Sequence, residues 1–228
     1  MISLAITTYN RCELLLESFK RVLDNDFVSE IIIVDDCSNL RLFKCMEGLL
    51  PNNHKIKLFR NETNLKPFLN KIEAVKKCTN DWVILFDSDN IIDNDFIEVV
   101  KNLKKEEDTI YLPEMTYDTH KNIVSDFRGF GELTKSNAKT DQKTMLFMGI
   151  SNYLINKNKY LEVVKNKDVN CYASDTIYAS YLWLLAGYKI KTLPASYIHR
   201  VHDGSYWNNN IDISTEFMNM IIEEMLKW

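Results

Sequence analysis

Glycine is scarce in this chain. Six residues in 228 (Gly48, Gly129, Gly131, Gly149, Gly187 and Gly204) leave no G-x-G-x-x-G, no Walker loop and no G-x-S-x-G elbow. The main signatures of dinucleotide, P-loop and common serine-hydrolase sites are therefore missing, and a bound phosphate must be held some other way. Basic charge is not in excess either. Lys and Arg number 28 against 32 Asp and Glu, a net charge of -4, and the run Lys104-Lys105-Glu106-Glu107 is mixed in sign. The concentrated basic face of a nucleic-acid binder is absent, so no nucleic acid is expected as a partner. The five cysteines are odd in number and never form C-x-x-C. Free thiols in a reducing, cytoplasmic setting are expected, and no zinc site. No apolar run approaches the ~18 residues of a membrane helix. The apolar start Met1–Ile6 lacks the basic lead and the length of a signal peptide and reads as a first strand. What remains is an ordinary soluble composition, 46% hydrophobic and 26% charged. A chain of this length buries roughly 70% of its unfolded surface and needs neither disulfide nor structural metal to fold.

The first hundred residues alternate between two periodicities. Ile2–Thr7, Ile31–Val34, Lys55–Phe59 and Trp82–Phe86 are short runs rich in β-branched or aromatic residues. Ile31-Ile32-Ile33-Val34, with no polar alternation, suits a strand buried on both faces of a parallel sheet. Between these runs, apolar residues recur at helical spacing: Leu14, Leu15, Phe19, Val22 and Leu23; a segment from a Ser38 cap to Leu50, ended by Pro51; and Pro67 to Lys77. Phe96, Ile97, Val100 and Leu103 follow the fourth strand. Such alternation predicts an α/β fold with a mainly parallel central sheet and right-handed crossovers. Residues 109–155 read as strands linked by loops. Tyr172–Ala186 reads as an apolar helix ended by Gly187, and Tyr188–Leu193 and Ser196–His202 as strands. An amphipathic helix with a Ser214 cap closes the chain. One domain over 1–228 is expected, with a nucleotide-binding half (1–105) and an acceptor-side half (106–228).

Ligands of parallel α/β sheets gather at the carboxyl ends of the strands, and three of the early strands end in polar residues there: Thr7-Thr8-Tyr9-Asn10, Asp35-Asp36 and Asp87-Ser88-Asp89. Two carboxylates in a D-x-D suit a hard divalent cation, which is usually held by one or two carboxylates together with substrate phosphates. An acidic turn capping the next helix explains the same residues, and so does the helix macrodipole for Asp35 and Asp36. Asp175 follows Ser174 at a helix start, where it is either an ordinary N-terminal acid or a general base facing a cleft. His199 and His202 would point to opposite faces of a strand, which makes them a poor zinc pair. Tyr206-Trp207, with Met148 and Tyr153, offers either an apolar platform for a ligand ring or plain core packing.

Together these motifs closely resemble the family 2 glycosyltransferases of the GT-A fold. Thr7-Thr8-Tyr9-Asn10-Arg11, Val34-Asp35-Asp36-Cys37-Ser38, Asp87-Ser88-Asp89-Asn90, Asp175 and His202-Asp203-Gly204-Ser205 occur in the family's order across residues 1–205. Cys37 stands where the family usually carries glycine, and Ile72 where it usually carries Asn, with Asn70 close by. Ser174 replaces the carboxylate that commonly precedes the catalytic Asp. The resemblance implies that Thr7 and Tyr9 line the base and ribose pocket and that Asp36 accepts from base or ribose. It adds Asn70 to the substrate-binding side, sets Asp87 near the ribose and metal, and gives Asp89 the Mn2+ or Mg2+ ion. Asp175 would be the base and His202 a further metal or diphosphate contact. The implied activity is metal-dependent, inverting transfer of a sugar from a nucleoside-diphosphate sugar, UDP first, to a hydroxyl acceptor. A non-catalytic sugar-nucleotide or glycan-binding module is the alternative, with a nucleotidyltransferase behind it. The identity of the acceptor and the presence of a homo-oligomer stay open.

Overall fold

The computed structural model describes residues 1–167, 169–200 and 206–228. In the first half, strands β1 (Ile2–Thr8), β2 (Val28–Asp35), β3 (Ile56–Arg60) and β4 (Trp82–Asp87) alternate with helices α1 (Cys12–Phe19), α2 (Leu40–Leu49), α3 (Lys66–Lys77) and α4 (Asn94–Asn102). The second half carries β5 (Thr109–Tyr117), β6 (Ile123–Asp126), β7 (Glu132–Leu133), α5 (Gln142–Met148), β8 (Tyr153–Asn156) and α6 (Lys157–Val163). After these come α7 (Asp175–Leu185), β9 (Lys189–Ile198), α8 (Tyr206–Asn209) and α9 (Ile211–Met225). One sheet runs through both halves in the order β3-β2-β1-β4-β8-β5-β9-β7, with β6 on β5. Its longer ladders, β1 with β2 and β4, β2 with β3, and β5 with β9, are parallel. Strand β8 inserts antiparallel between β4 and β5.

The order 3-2-1-4 means that the chain fills one side of β1 first and then crosses to the other, which opens a switch point beside β1 and β4. Register brings Thr7 level with Asp87 across that point and Thr8 level with Asp35. Ile31–Val34 are all buried, as their unbroken β-branched run predicts. Helix α3 covers β1 and β2 with a stripe of Phe68, Lys71, Ile72 and Val75, the i, i+3, i+4, i+7 spacing of a core-facing helix.

Several local expectations change. Ser38 does not cap α2: its hydroxyl donates to the Asp35 carboxylate and accepts the Asn10 N–H, so Asn39 takes the cap, accepting the Arg41 N–H at 2.9 Å. The two strands expected on either side of Pro194 are one, β9. Proline is tolerated there because pairing with β7 ends at Lys191, and the β5 register shifts beside it. Tyr172–Ser174 form a 3-10 turn, with Tyr172 at φ 52°, and α7 begins only at Asp175. Gly187, at φ 85°, does end α7. Ser214 is not a cap but lies buried one turn inside α9, which docks on the domain through Ser214, Ile221 and Met225.

The cysteines are not all free. Cys12 and Cys45 form a disulfide tying α1 to α2, while Cys37, Cys78 and Cys171 are free thiols. An odd count allows one bond as readily as none, and only packing brings these two positions, 33 residues apart, together. No helix among the described residues is long and apolar enough to cross a membrane. Alkylation of the denatured chain without reductant is expected to modify three thiols, and all five only after reduction; five modified thiols without reductant would show that the bond is absent. Cys45→Ser should lower stability in urea unfolding by about 2–4 kcal/mol through the freed loop.

Candidate active site

The switch point opens into a cleft of about 410 Å³, inside the usual range of small-molecule sites of roughly 300–1,000 Å³. Thr7, Tyr9, Asp36, Asn70, Asp87, Asp89 and Asp175 all line it, so tertiary structure brings together every described residue expected at the site. His202 lies outside the described residues. His199 lines the cleft, and its backbone N–H donates to the Tyr117 carbonyl at 2.7 Å.

The loops after β1 and β2 are knitted to each other. Asn10, at φ 55°, accepts the Asn39 N–H on its side chain at 2.9 Å, a left-handed conformation that Asn tolerates better than most residues. Cys37 sits at φ 61°, the physical reason a glycine is at home in that motif. The two acids ending β2 then part company. Asp35 is fully buried, bonded to the N–H and hydroxyl of Ser38, and serves the turn. Asp36 turns the other way and accepts from the Leu65 N–H at 2.8 Å, the Lys66 N–H at 2.9 Å and the Asn61 amide at 3.0 Å. Burial pushes the Asp36 carboxyl up, against these bonds, which favour its charged form. A carboxylate offers about four acceptor sites, so Asp36 retains room for a ligand on the cleft side. Asn70 stands behind it, accepting from Asn61 at 3.0 Å and donating to the Val34 carbonyl at 3.4 Å. Tyr9, 43% exposed, forms the rim.

Two cations that sequence reasoning assigned no role hold the remaining acids. The Arg11 guanidinium contacts Asp89 at 2.7 Å. The Lys71 ammonium, on a side chain only 4% exposed, lies 2.8 Å from Asp175 and 3.1 Å from Asp87. Burial alone would drive Lys71 down, but Asp175 and Asp87 raise it well above the ordinary lysine range. Asp87 also accepts from the Thr7 hydroxyl at 3.3 Å. A signal for Lys71 was present in the sequence: a lysine on the otherwise apolar stripe Phe68, Ile72, Val75. Asp175 is placed from behind, since Ser214 of α9 accepts the Ala173 N–H at 3.1 Å and its carbonyl accepts the Ser174 hydroxyl at 2.8 Å. Tyr206 and Trp207 line the cleft as an aromatic wall, whereas Met148 and Tyr153 are buried in the core and take no part in it.

The D-x-D turn is held by Arg200. Its Nε donates to the Asp89 carbonyl at 2.5 Å, and its Nη2 donates to the carbonyls of Leu14, Ser88 and Asn90 at 2.8, 2.9 and 3.3 Å. One planar fork thus ties the turn to α1 and to the end of β9. Around the same turn, Thr8 Oγ1 and Asn90 Oδ1 are buried without a hydrogen-bond partner among the described residues, and both residues line the cleft. The Asp89 carboxylate, on the cleft lining, is an oxygen donor of the kind a hard divalent cation takes. No three His, Cys, Asp or Glu side chains converge among the described residues, so the oxygens of a phosphate ligand would complete the shell.

The family model for glycosyl transferase family 2 matches residues 3–155. An uncharacterized glycosyltransferase of Haemophilus influenzae is 26% identical over 99 residues, covering 43% of this chain and 40% of that protein. The crystal structure of S. aureus TarS 1–349 in complex with UDP-GlcNAc superposes with a TM-score of 0.72 at 19% identity, over 96% of this chain and 65% of that one. GalNAc-T7 with UDP, GalNAc and Mn2+ gives a TM-score of 0.69 at 14% identity, over 98% of this chain and 47% of that one. The chain spans less than two thirds of each of these proteins. At such identities the structural likeness shows the fold, the GT-A architecture.

Arg200→Ala should strip the donor from four part-buried carbonyls, three in the D-x-D turn and one in α1, and lower stability by about 1.5–3 kcal/mol. Faster amide exchange should be confined to the turn and the adjoining part of α1. Unchanged stability and exchange would show that the fork does not hold the turn.

Proposed function

Because the chain belongs to glycosyl transferase family 2, we propose that it transfers a sugar from a nucleoside-diphosphate sugar to a hydroxyl acceptor with inversion at the anomeric carbon. The observation that carries this reading is that Asp36, Asp87, Asp89 and Asp175, from three separate segments, all line one cleft at the carboxyl ends of the parallel strands. A uridine diphosphate donor is supported by the structural neighbours, which were solved with UDP-GlcNAc or with UDP and GalNAc.

In this reading Thr7, Tyr9 and the free side of Asp36 receive the base and ribose, with Asn70 bracing Asp36 through Asn61. Asp87 faces the ribose from the end of β4. Asp89 would hold a Mn2+ or Mg2+ ion; the presence of Mn2+ in the GalNAc-T7 structure supports the choice of ion. When bound, the ion supplies Lewis-acid neutralisation of the charge developing on the diphosphate. Arg11, paired with Asp89, would share that charge. His202 keeps its sequence-based assignment as a further contact. On the opposite wall Asp175 takes the proton of the acceptor hydroxyl as that oxygen bonds to the anomeric carbon and the bond to the diphosphate oxygen breaks. A base in this role contributes ~10²–10⁴-fold. Orientation of the two substrates in one cleft supplies further acceleration. Trp207 and Tyr206 offer aromatic surface against a sugar ring.

Two measurements test the reading. Thermal-shift titration with UDP and other nucleoside diphosphates, with and without Mn2+, should show metal-dependent stabilisation by one base, lost in Asp89→Ala. Asp175→Asn should retain that stabilisation and lose at least about 10²-fold in transfer. Near-wild-type turnover in either variant would overturn the assignment, and donor binding with no product from any acceptor class would instead favour a binding module.

A further inference from the structure

Lys71 breaks the pattern of its own helix. Its neighbours on the inner face of α3 are Phe68, Ile72 and Val75, yet the ammonium is buried with them. A buried charge is costly unless paired and hydrogen-bonded, and Lys71 meets that cost with two carboxylates from opposite sides of the cleft. Asp87 comes from the end of β4, on the donor side, and Asp175 from the start of α7, on the acceptor side. The contact with Asp175 is specific to one oxygen. Lys71 Nζ lies 2.8 Å from Oδ2, and the Thr176 hydroxyl approaches the same Oδ2 at 3.5 Å while standing 3.4 Å from Nζ. Among the described residues no hydrogen bond engages Oδ1.

We infer that Lys71 is a positioning residue for the transfer step: it clamps Oδ2 of Asp175, leaving Oδ1 to take the acceptor proton, and fixes that base relative to Asp87 on the donor side. This inference rests on the reading of Asp175 as the base. The physical need is plain. Asp87 and Asp175 share one ammonium, and without it two carboxylates confront each other across a poorly hydrated gap. Repulsion then turns the Asp175 side chain away or neutralises one of the pair. A displacement of about 1 Å in a reacting group can cost ~10²-fold in rate; on the donor side Lys71 touches Asp87, assigned to the ribose, while among the described residues its contacts do not include Thr7, Asp36 or Asp89, assigned to base and diphosphate. The clamp therefore acts on turnover more than on donor binding.

The test compares Lys71→Met, which keeps the length of the side chain without its charge, with Lys71→Arg, which keeps the charge. Steady-state transfer and calorimetric titration with UDP and Mn2+ are measured on the full chain. Lys71→Met is expected to lose about 10²-fold in kcat, with the dissociation constant for UDP and the KM for the donor near the wild-type values. Lys71→Arg should recover most of the kcat. If Lys71→Met fails to fold, Lys71→Gln, neutral but still a hydrogen-bond donor, must show the same division between kcat and KM. Wild-type kcat in a folded neutral variant would overturn the inference, as would a loss that appears equally in UDP affinity or that Arg fails to restore. A wild-type protein that transfers no sugar would count against the glycosyltransferase reading itself, whereas an active wild type with an equally active Lys71→Met would refute the clamp alone.

Discussion

Four carboxylates around one cleft repel each other, and much of the surrounding structure compensates that repulsion. Lys71 neutralises Asp87 and Asp175 from within the core, and Arg11 covers Asp89. Among the described residues no cation contacts Asp36; two backbone N–H groups and an amide hold it instead. The compensation differs with depth. Below the surface, where an ion is poorly hydrated, the partner is a fully buried lysine, whereas nearer the solvent it is a longer, partly exposed arginine.

The second layer of organisation places these charges by elements far from them in sequence. Arg200, beyond the last described residue of β9, holds the D-x-D turn through carbonyl oxygens and reaches across to α1, the helix that follows Arg11. Ser214 in α9 orders the turn in front of Asp175. The second half of the chain therefore does more than flank the cleft. It inserts β8 into the sheet beside β4, where the Asn152 side chain accepts the Asp87 N–H at 2.9 Å, and it anchors both ends of the charge cluster.

The parts of this design legible in the sequence were those with a local signature. Ile31–Val34 announced a doubly covered strand, and Pro67 and Gly187 marked a helix start and a helix end. Thr7, Asp36 and Asp87 stood out as polar residues where strands stop. The misreadings share a cause. Ser38 and Ser214 have the right residue type for a cap, but each hydroxyl is claimed by a group distant in sequence or by the turn itself. Pro194 looked like the end of a strand because the sequence does not reveal that its neighbour on one side stops short. Cys12 and Cys45 carried no pairing signal, since spacing along the chain does not fix proximity across two helices.

By itself the sequence determined the alternation of strand and helix, the parallel first half of the sheet and the polar strand ends at its carboxyl edge. These follow from periodicity and from turn chemistry, which act over a few residues. Only the tertiary structure decided which acid meets which cation: that Asp35 serves a turn while Asp36 faces the cleft, that Lys71 bridges Asp87 and Asp175, and that Arg200 grips the D-x-D turn. Those pairings depend on distances between segments 16 to more than 100 residues apart, and electrostatic energy depends on separation and burial, neither of which residue type encodes.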